Sequence, residues 1–220
     1  SDQNSGPVRS QYIYCERTGP EFWSEPVNAL TNLSFIIAAI TIMAQIRKQG
    51  LFHVHFVVLA TLIAAIGTGS FLFHTKAVFW ALLSDVIPIL LFQLYYLFVY
   101  SRWVLKTDFL KSFLWPVALI ILIGLNGVLF PGDLLNGSIG YAPSLIVLAV
   151  VTALHLKKRE PGGKFFLSAC ALFILSLTFR TIDEALCPYI PTGTHYLWHV
   201  INGLVLFLLV QSLVLYRKQK

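Results

Sequence analysis

The sequence LATLIAAIGTGSFLFH, residues 59–74, is an apolar run that ends in a histidine. No residue from Leu59 to Phe73 carries a charge. Counted from His53, the run is long enough to cross a bilayer as a helix, which takes roughly 20 mostly apolar residues. This stretch therefore predicts a membrane-spanning helix.

The rest of the chain has the same character. Of its 220 residues, 57% are hydrophobic and only 12% are charged, and the mean hydropathy is +0.74. A soluble domain of this size is far less apolar. The formal charge of +6 does not indicate nucleic acid, because an excess of Lys and Arg in cytoplasmic loops gives the same balance. We expect one helical membrane bundle and no separate soluble domain.

Seven such runs follow one another, and they predict an all-α bundle of seven transmembrane helices. The predicted helices are 27–46, 53–74, 77–100, 109–130, 140–156, 164–180 and 194–216. Strong turn signals, such as Pro131-Gly132-Asp133, separate them. We accordingly divide the chain into an extracytoplasmic segment (1–26), the membrane domain (27–216) and a cytoplasmic tail (217–220).

The basic residues predict the orientation of this bundle. Four of the sixteen lie on the side of the N-terminus, namely Arg9, Arg17, Lys76 and Arg180, and the other twelve lie on the opposite side. By the positive-inside rule the N-terminus is outside the cytoplasm and the C-terminus is inside. The small size and short loops favour a bacterial plasma membrane over the endoplasmic reticulum or Golgi.

The stretch His195-Tyr196-Leu197-Trp198-His199 opens the last run and predicts a metal site. Two histidines four residues apart project from the same face of a helix and can bind one ion. The topology brings His74, at the end of the second run, to the same membrane face. The histidine pair alone is a weak signal, so the prediction rests on this convergence.

Two further polar residues, Ser70 and Asp85, belong to the same face. Asp85 lies roughly 12 Å along the third predicted helix, inside the apolar slab. A carboxylate there costs a few kcal/mol unless it faces the bundle interior and finds a partner. The alternatives remain open that His74 or Asp85 belongs to an interhelical hydrogen bond and that Ser70 only permits close packing.

The order and spacing of several short motifs are together fairly specific. They are Tyr14-Cys15-Glu16, Glu25-Pro26-Val27-Asn28, Ser70 four residues before His74, Asp85, and the pair His195 and His199. This combination resembles the alkaline ceramidase family. That family belongs to a superfamily of seven-helix membrane hydrolases, which also includes lipid-remodelling proteins of the GPI-anchor pathway and adiponectin-receptor-like proteins.

The resemblance implies a zinc hydrolase. It assigns His74, His195 and His199 as zinc ligands, Asp85 as the acid-base carboxylate and Ser70 as a hydroxyl that stabilises the oxyanion. Three imidazoles leave one zinc position open for a water molecule, whose pKa falls to about 7. The implied reaction is hydrolysis of the amide of ceramide or a related N-acyl lipid to a fatty acid and a sphingoid base.

The lipid substrate is expected to enter from the bilayer, and the sequence indicates neither nucleic acid nor an obligate protein partner. Four aromatic residues flank the motifs and are candidates to line a lipid pocket: Phe71, Phe73, Trp80 and Trp198. Two other functions remain open. One is an ester-cleaving phospholipid or lipid-anchor hydrolase on the same scaffold, and the other is a receptor-like protein with structural zinc.

The N-terminal segment departs from the family in its acidic residues. Eukaryotic ceramidases bind calcium there, and Glu16 and Glu25 match that pattern, but Ile13 and Thr18 stand where oxygen ligands are needed. Calcium is therefore not expected, and Glu25 is interpreted as a cap of the first helix.

The remaining polar and sulfur-containing residues give three expectations. The resemblance implies a disulfide between Cys15 and Cys187, with two free thiols as the alternative, while Cys170 is interpreted as a packing residue. Arg180, Asp183 and Glu184 are placed between the sixth and seventh helices as a salt-bridged lip, with binding of a polar headgroup as the alternative. His53, His55 and His155 are interpreted as interfacial residues on the cytoplasmic side.

Overall fold

A computed structural model describes residues 14–219, so Arg9, Ile13 and Lys220 lie outside the described part. In this part every regular element is helical. The helices are α1 Pro26–Thr31, α2 Leu33–Lys48, α3 Val54–Lys76, α4 Phe79–Trp103, α5 Leu114–Leu129, α6 Ala142–Lys157, α7 Gly163–Leu186 and α8 His195–Lys218. Short 3-10 turns at Lys111–Phe113 and Ser138–Tyr141 lead into α5 and α6.

These elements form seven segments that are long and apolar enough to cross a membrane, and α1 and α2 together make the first. The prediction of seven transmembrane helices is confirmed. Because the connections are short, successive segments run in opposite directions. We call the end of the bundle where α1 begins the proximal end and the other the distal end.

Helix α8 is the central element and α5 the most peripheral. In the most apolar window of each segment, 61% of the α8 residues are buried inside the protein, against 17% for the segment that contains α5. The core is formed mainly by α2, α3, α4 and α8. The helix that carries the histidine pair is therefore the one best shielded by its neighbours.

The first segment is broken at Asn32, where the sequence predicted one continuous helix. The Thr31 hydroxyl donates back to the carbonyls of Val27 and Asn28, a local hydrogen bond that competes with regular helix continuation. Helix α3 approaches this break closely at Gly67. A Cβ added to Gly67 would lie 3.0 Å from the Asn32 carbonyl oxygen.

Helices α3 and α4 approach even more closely near their shared proximal turn. A Cβ added to Gly69 would lie 1.8 Å from the backbone oxygen of Ser84. Only glycine fits at such a contact, so residue 69 fixes how near the two backbones come. The residues that follow these two positions in sequence, Ser70 and Asp85, are thereby brought together.

Helix α7 is longer than predicted and continues past Arg180 through Asp183 and Glu184, which lie beyond the predicted end of the helix. Arg180, Asp183 and Glu184 all lie in its last turns before Leu186. No ion pair involves any of them within residues 14–219. The salt-bridged lip is therefore wrong. Asp183 is fully buried instead, and its carboxylate accepts hydrogen bonds from backbone N–H groups, which explains why a charge is tolerated there.

Candidate metal centre

Three histidines meet at the proximal end of the bundle. His74 lies in the last turn of α3, and His195 and His199 lie in the first two turns of α8. One ring nitrogen of each lies within 4.8 Å of the others. All three side chains are buried. Three imidazole nitrogens at this separation can hold one metal ion.

The start of α8 is fixed by a carboxylate from the preceding helix. Asp183 accepts hydrogen bonds from the N–H of Thr194, at 2.6 Å, and of His195, at 2.9 Å. These N–H groups belong to the helix N-terminus, where no intrahelical partner is available. Because Asp183 sets where α8 begins, it also sets the face on which His195 and His199 project.

The outer nitrogens of two histidines are held by neighbouring side chains. His74 Nδ1 hydrogen-bonds with a carboxylate oxygen of Glu25, and His199 Nδ1 lies 3.0 Å from the Thr31 hydroxyl. This leaves Nε2 of both rings for a metal, the arrangement typical of histidine ligands.

The third histidine, His195, stacks on Tyr14 with ring centroids 3.6 Å apart. Its Nδ1 is buried without a hydrogen-bond partner among the residues described. A buried polar atom without a partner is costly. The donor set of three imidazoles thus fits a metal ion better than it fits an unliganded core.

Glu25 and Arg17 form a buried support beneath His74. Arg17 pairs with the Glu25 carboxylate and donates to the backbone carbonyl of His74 at 2.6 Å. Burial by itself raises the pKa of Glu25, but hydrogen bonds and charges from His74 and Arg17 outweigh it and hold that pKa below its usual value. Glu25 therefore stays an anionic acceptor for the histidine ring.

Glu25 occupies the N-cap position of α1, as interpreted from the sequence, but its side chain makes no capping hydrogen bond. Glu16 does so instead, accepting from the N–H groups of Val27 at 2.7 Å and Asn28 at 2.8 Å. Burial raises the pKa of Glu16, although these two hydrogen bonds oppose the shift. Of the other calcium-related positions, Thr18 is exposed and Ile13 lies outside the described residues.

Asp85 and Ser70 lie beside the histidines but outside the group of potential ligands. The Ser70 side chain is buried and is a hydrogen-bond partner of the Asp85 carboxylate. Asp85 is not among the residues whose ligand atoms cluster with the three imidazoles. A carboxylate and a hydroxyl next to a metal can exchange protons and donate hydrogen bonds without occupying a coordination position.

An apolar cavity of about 110 Å³ lies between α4, α6 and α8. Trp198 and Tyr141 line it near the proximal end, and Tyr96 and Leu209 line it deeper in the bundle. Of the four aromatic residues proposed for a lipid pocket, only Trp198 borders this cavity. Trp80 is 56% exposed on the outer surface of α4, so its side chain faces away from the bundle interior.

The disulfide between Cys15 and Cys187 is confirmed. It ties the segment 14–25, which carries Tyr14, Arg17 and Glu25, to the end of α7. Cys170 is a free, half-buried thiol in α7. The metal centre is thus covered at the proximal end by a segment that is covalently attached to the bundle.

Comparison with known proteins agrees with this arrangement. No curated protein matches the sequence. The sequence profile of the ceramidase family matches residues 6–220, nearly the whole chain. A chain of seven membrane helices with three clustered histidines, matched over this length, belongs to the ceramidase family.

Proposed function

We propose that the protein is a zinc-dependent lipid amidase that hydrolyses the N-acyl bond of ceramide or a related N-acyl lipid. The products are a fatty acid and a sphingoid base. One observation carries the proposal: three buried imidazoles converge beside a carboxylate and a hydroxyl, inside a membrane bundle of the ceramidase family.

Zinc suits this donor set. His74, His195 and His199 are three neutral nitrogen ligands, the number that catalytic zinc sites use when one position stays open. When bound, zinc supplies a Lewis acid for the amide carbonyl and lowers the pKa of a water molecule to about 7. The ester-cleaving alternative would use the same chemistry, so the substrate has to be tested directly.

Asp85 is proposed to move the protons of the reaction. It takes a proton from the water that attacks the amide carbon, and it gives a proton to the nitrogen as the carbon–nitrogen bond breaks. Ser70 is a hydrogen-bond partner of this carboxylate, and its hydroxyl is proposed to donate a hydrogen bond to the oxyanion that develops on the carbonyl.

Glu25 has a positioning role in this proposal. By accepting a hydrogen bond from Nδ1–H of His74, it selects the tautomer whose Nε2 can bind metal and fixes the ring orientation. Arg17 neutralises Glu25 and holds the end of α3, so the carboxylate is kept charged without being left unpaired.

The substrate is proposed to keep its chains in the bilayer and the apolar cavity while its amide reaches the histidines. Trp198 lines the cavity and precedes His199 in the sequence, which supports a direct path between the two. With the N-terminus outside the cytoplasm, the proximal end and its metal centre face the extracytoplasmic side.

The test is hydrolysis of two lipid panels, one of ceramides and one of phospholipids, by the purified wild type and by Asp85→Asn. We expect fatty acid release from ceramide by the wild type and at least a hundredfold slower release by Asp85→Asn, since general acid-base groups contribute about 10²–10⁴-fold. Cleavage of phospholipid esters without hydrolysis of ceramide would overturn the amidase proposal and support the ester-cleaving alternative.

A further inference from the structure

Arg180 is a buried cation with no anionic partner. Its residue is 8% exposed, and no carboxylate lies within ion-pair distance of its guanidinium in the described part of the chain. An uncompensated charge inside a membrane protein is expensive and by default indicates a functional site. Because the predicted salt bridges are not formed, the buried charge of Arg180 requires another explanation.

The guanidinium is held in place by uncharged groups, one of which is the Tyr14 side chain, a hydrogen-bond partner of Arg180. Its Nη1 donates to the Asn136 carbonyl and, at 3.1 Å, to the Ser138 hydroxyl. Its face lies over two rings, with centroids 5.4 Å away for Tyr141 and 5.9 Å away for Trp198. All of these partners are neutral. They fix the orientation of the group without cancelling its charge.

Arg180 also borders a second cavity of about 880 Å³ at the proximal end, which we call the polar cavity because Asp133 and Glu184 line it too. Tyr14 lines this cavity and stacks on His195. Trp198 and Tyr141, beneath the guanidinium, line the apolar cavity. Arg180 therefore lies where the polar cavity, the apolar cavity and the metal centre adjoin, the place that a lipid headgroup would occupy.

Three carboxylates lie in the surroundings of Arg180 and contribute negative charge there. Asp133 and Glu184 line the polar cavity, and Asp85 lies beside the metal centre. None of them pairs with Arg180. An anion bound in the cavity would meet the open donors of a guanidinium, the side chain best suited to bind carboxylate or phosphate oxygens.

We propose that Arg180 binds an anionic group, a carboxylate or a phosphate, on the headgroup of the N-acyl lipid. This inference rests on the proposed amidase function and deepens it, because it selects acidic N-acyl lipids over ceramides with a neutral headgroup. In this arrangement the apolar cavity binds the acyl chain of the lipid, the metal centre binds its amide, and Arg180 binds the anionic group of its headgroup.

The test compares lipids that differ only in headgroup charge. N-palmitoylglycine and N-palmitoylethanolamine share one acyl chain, and ceramide 1-phosphate and ceramide form the phosphate pair. Equilibrium binding and kcat/KM are measured for wild type, Arg180→Gln, Arg180→Lys and Lys76→Gln. The last variant removes an exposed charge at the same end of the bundle and controls for long-range electrostatics.

We expect the wild type to prefer the acidic member of at least one pair by about tenfold or more, as a charge-assisted hydrogen bond provides. The pair with the larger ratio identifies carboxylate or phosphate. Arg180→Gln should lose the preference while it still hydrolyses the neutral lipid, and Arg180→Lys should keep part of it. Lys76→Gln should behave as wild type.

Equal binding of acidic and neutral lipids by the wild type would overturn the inference. So would an Arg180→Gln variant that loses both members of a pair equally, because that result is expected of a purely structural clamp. If none of these lipids is hydrolysed, the amidase proposal fails, whereas the binding ratios still decide the role of Arg180.

Discussion

The six histidines of the chain divide into two sets of three at opposite ends of the bundle, and the two sets differ in what their ring nitrogens meet. At the distal end, His55 Nδ1 lies 2.7 Å from the Tyr95 hydroxyl, and His155 Nε2 lies 3.0 Å from the Pro161 carbonyl. His53 accepts a hydrogen bond from the backbone N–H of His55. Each distal ring has a partner supplied by the protein.

At the proximal end the ring nitrogens converge on one another instead. His74 and His199 have one nitrogen held by a neighbour, and His195 has a buried nitrogen without a partner in the described structure. Burial does not distinguish the sets, because His155 is 0% exposed and its interpretation as an interfacial residue is wrong. The proximal set is distinguished as a candidate metal site by ring nitrogens that lie within 4.8 Å of one another.

The largest effect is expected from removal of a proximal histidine. His199→Ala should reduce bound metal from about one ion per chain to almost none, because two imidazoles do not hold zinc tightly. Elemental analysis of the purified proteins measures this. The matched distal variant His55→Ala should retain its metal. Equal metal loss in both variants would contradict the assignment of the metal site to the proximal histidines.

A smaller effect is expected when the support of His74 is weakened. Glu25→Gln should lower metal affinity by roughly 10–100-fold, as removal of a hydrogen-bonded partner of a ligand does. Competition with a chromogenic chelator gives the affinity. The control is Glu21→Gln, an exposed acid of the same segment whose carboxylate accepts a hydrogen bond from the Ser24 hydroxyl. Unchanged metal affinity in Glu25→Gln would mean that the orientation of the His74 ring does not depend on Glu25.

The disulfide should contribute less, because it acts on the metal centre only through the segment that it anchors. Cys15→Ser is expected to speed metal loss to a chelator by roughly threefold to tenfold, through looser contacts of Arg17 and Glu25. Cys170→Ser removes a free thiol and should leave the rate unchanged. Identical rates for Cys15→Ser and wild type would show that the covalent tie is dispensable for metal retention.

The smallest effect on metal is expected at the distal end. His155→Leu removes the partner of the Pro161 carbonyl and of the Tyr100 hydroxyl. We expect a loss of about 1–3 kcal/mol in stability, seen as a lower unfolding temperature in detergent, with metal content unchanged. Loss of metal in this variant would show that metal binding at the proximal end depends on the distal histidines, which would contradict the division into two independent sets.

The sequence was sufficient to predict the seven membrane segments, since each is a long apolar run with clear turn signals. It also identified the three histidines that meet, because helix spacing and alternating topology place them at one membrane face. The disulfide followed from the resemblance to a family. These features depend on periodicity, length and order along the chain, which are all visible in one dimension.

The sequence could not predict which side chains contact one another in the folded protein. Glu25 is the N-cap residue of α1, as the sequence suggested, but only the fold reveals that the Glu16 side chain accepts the capping hydrogen bonds while the Glu25 side chain supports His74. The predicted helix ended at Arg180 because charged residues follow it, yet α7 continues through Asp183 and Glu184. The signal available was the presence of isolated charges beside apolar sequence, which indicates buried polar partners but does not name them.

Metal removal and restoration give the sharpest test of zinc-dependent hydrolysis. The wild type is stripped with a chelator, and ceramide hydrolysis is measured before stripping, after stripping and after addition of zinc, alongside elemental analysis. We expect activity to fall with the metal content and to return when about one zinc per chain is bound again. Undiminished ceramide hydrolysis by protein that has lost its metal would contradict it.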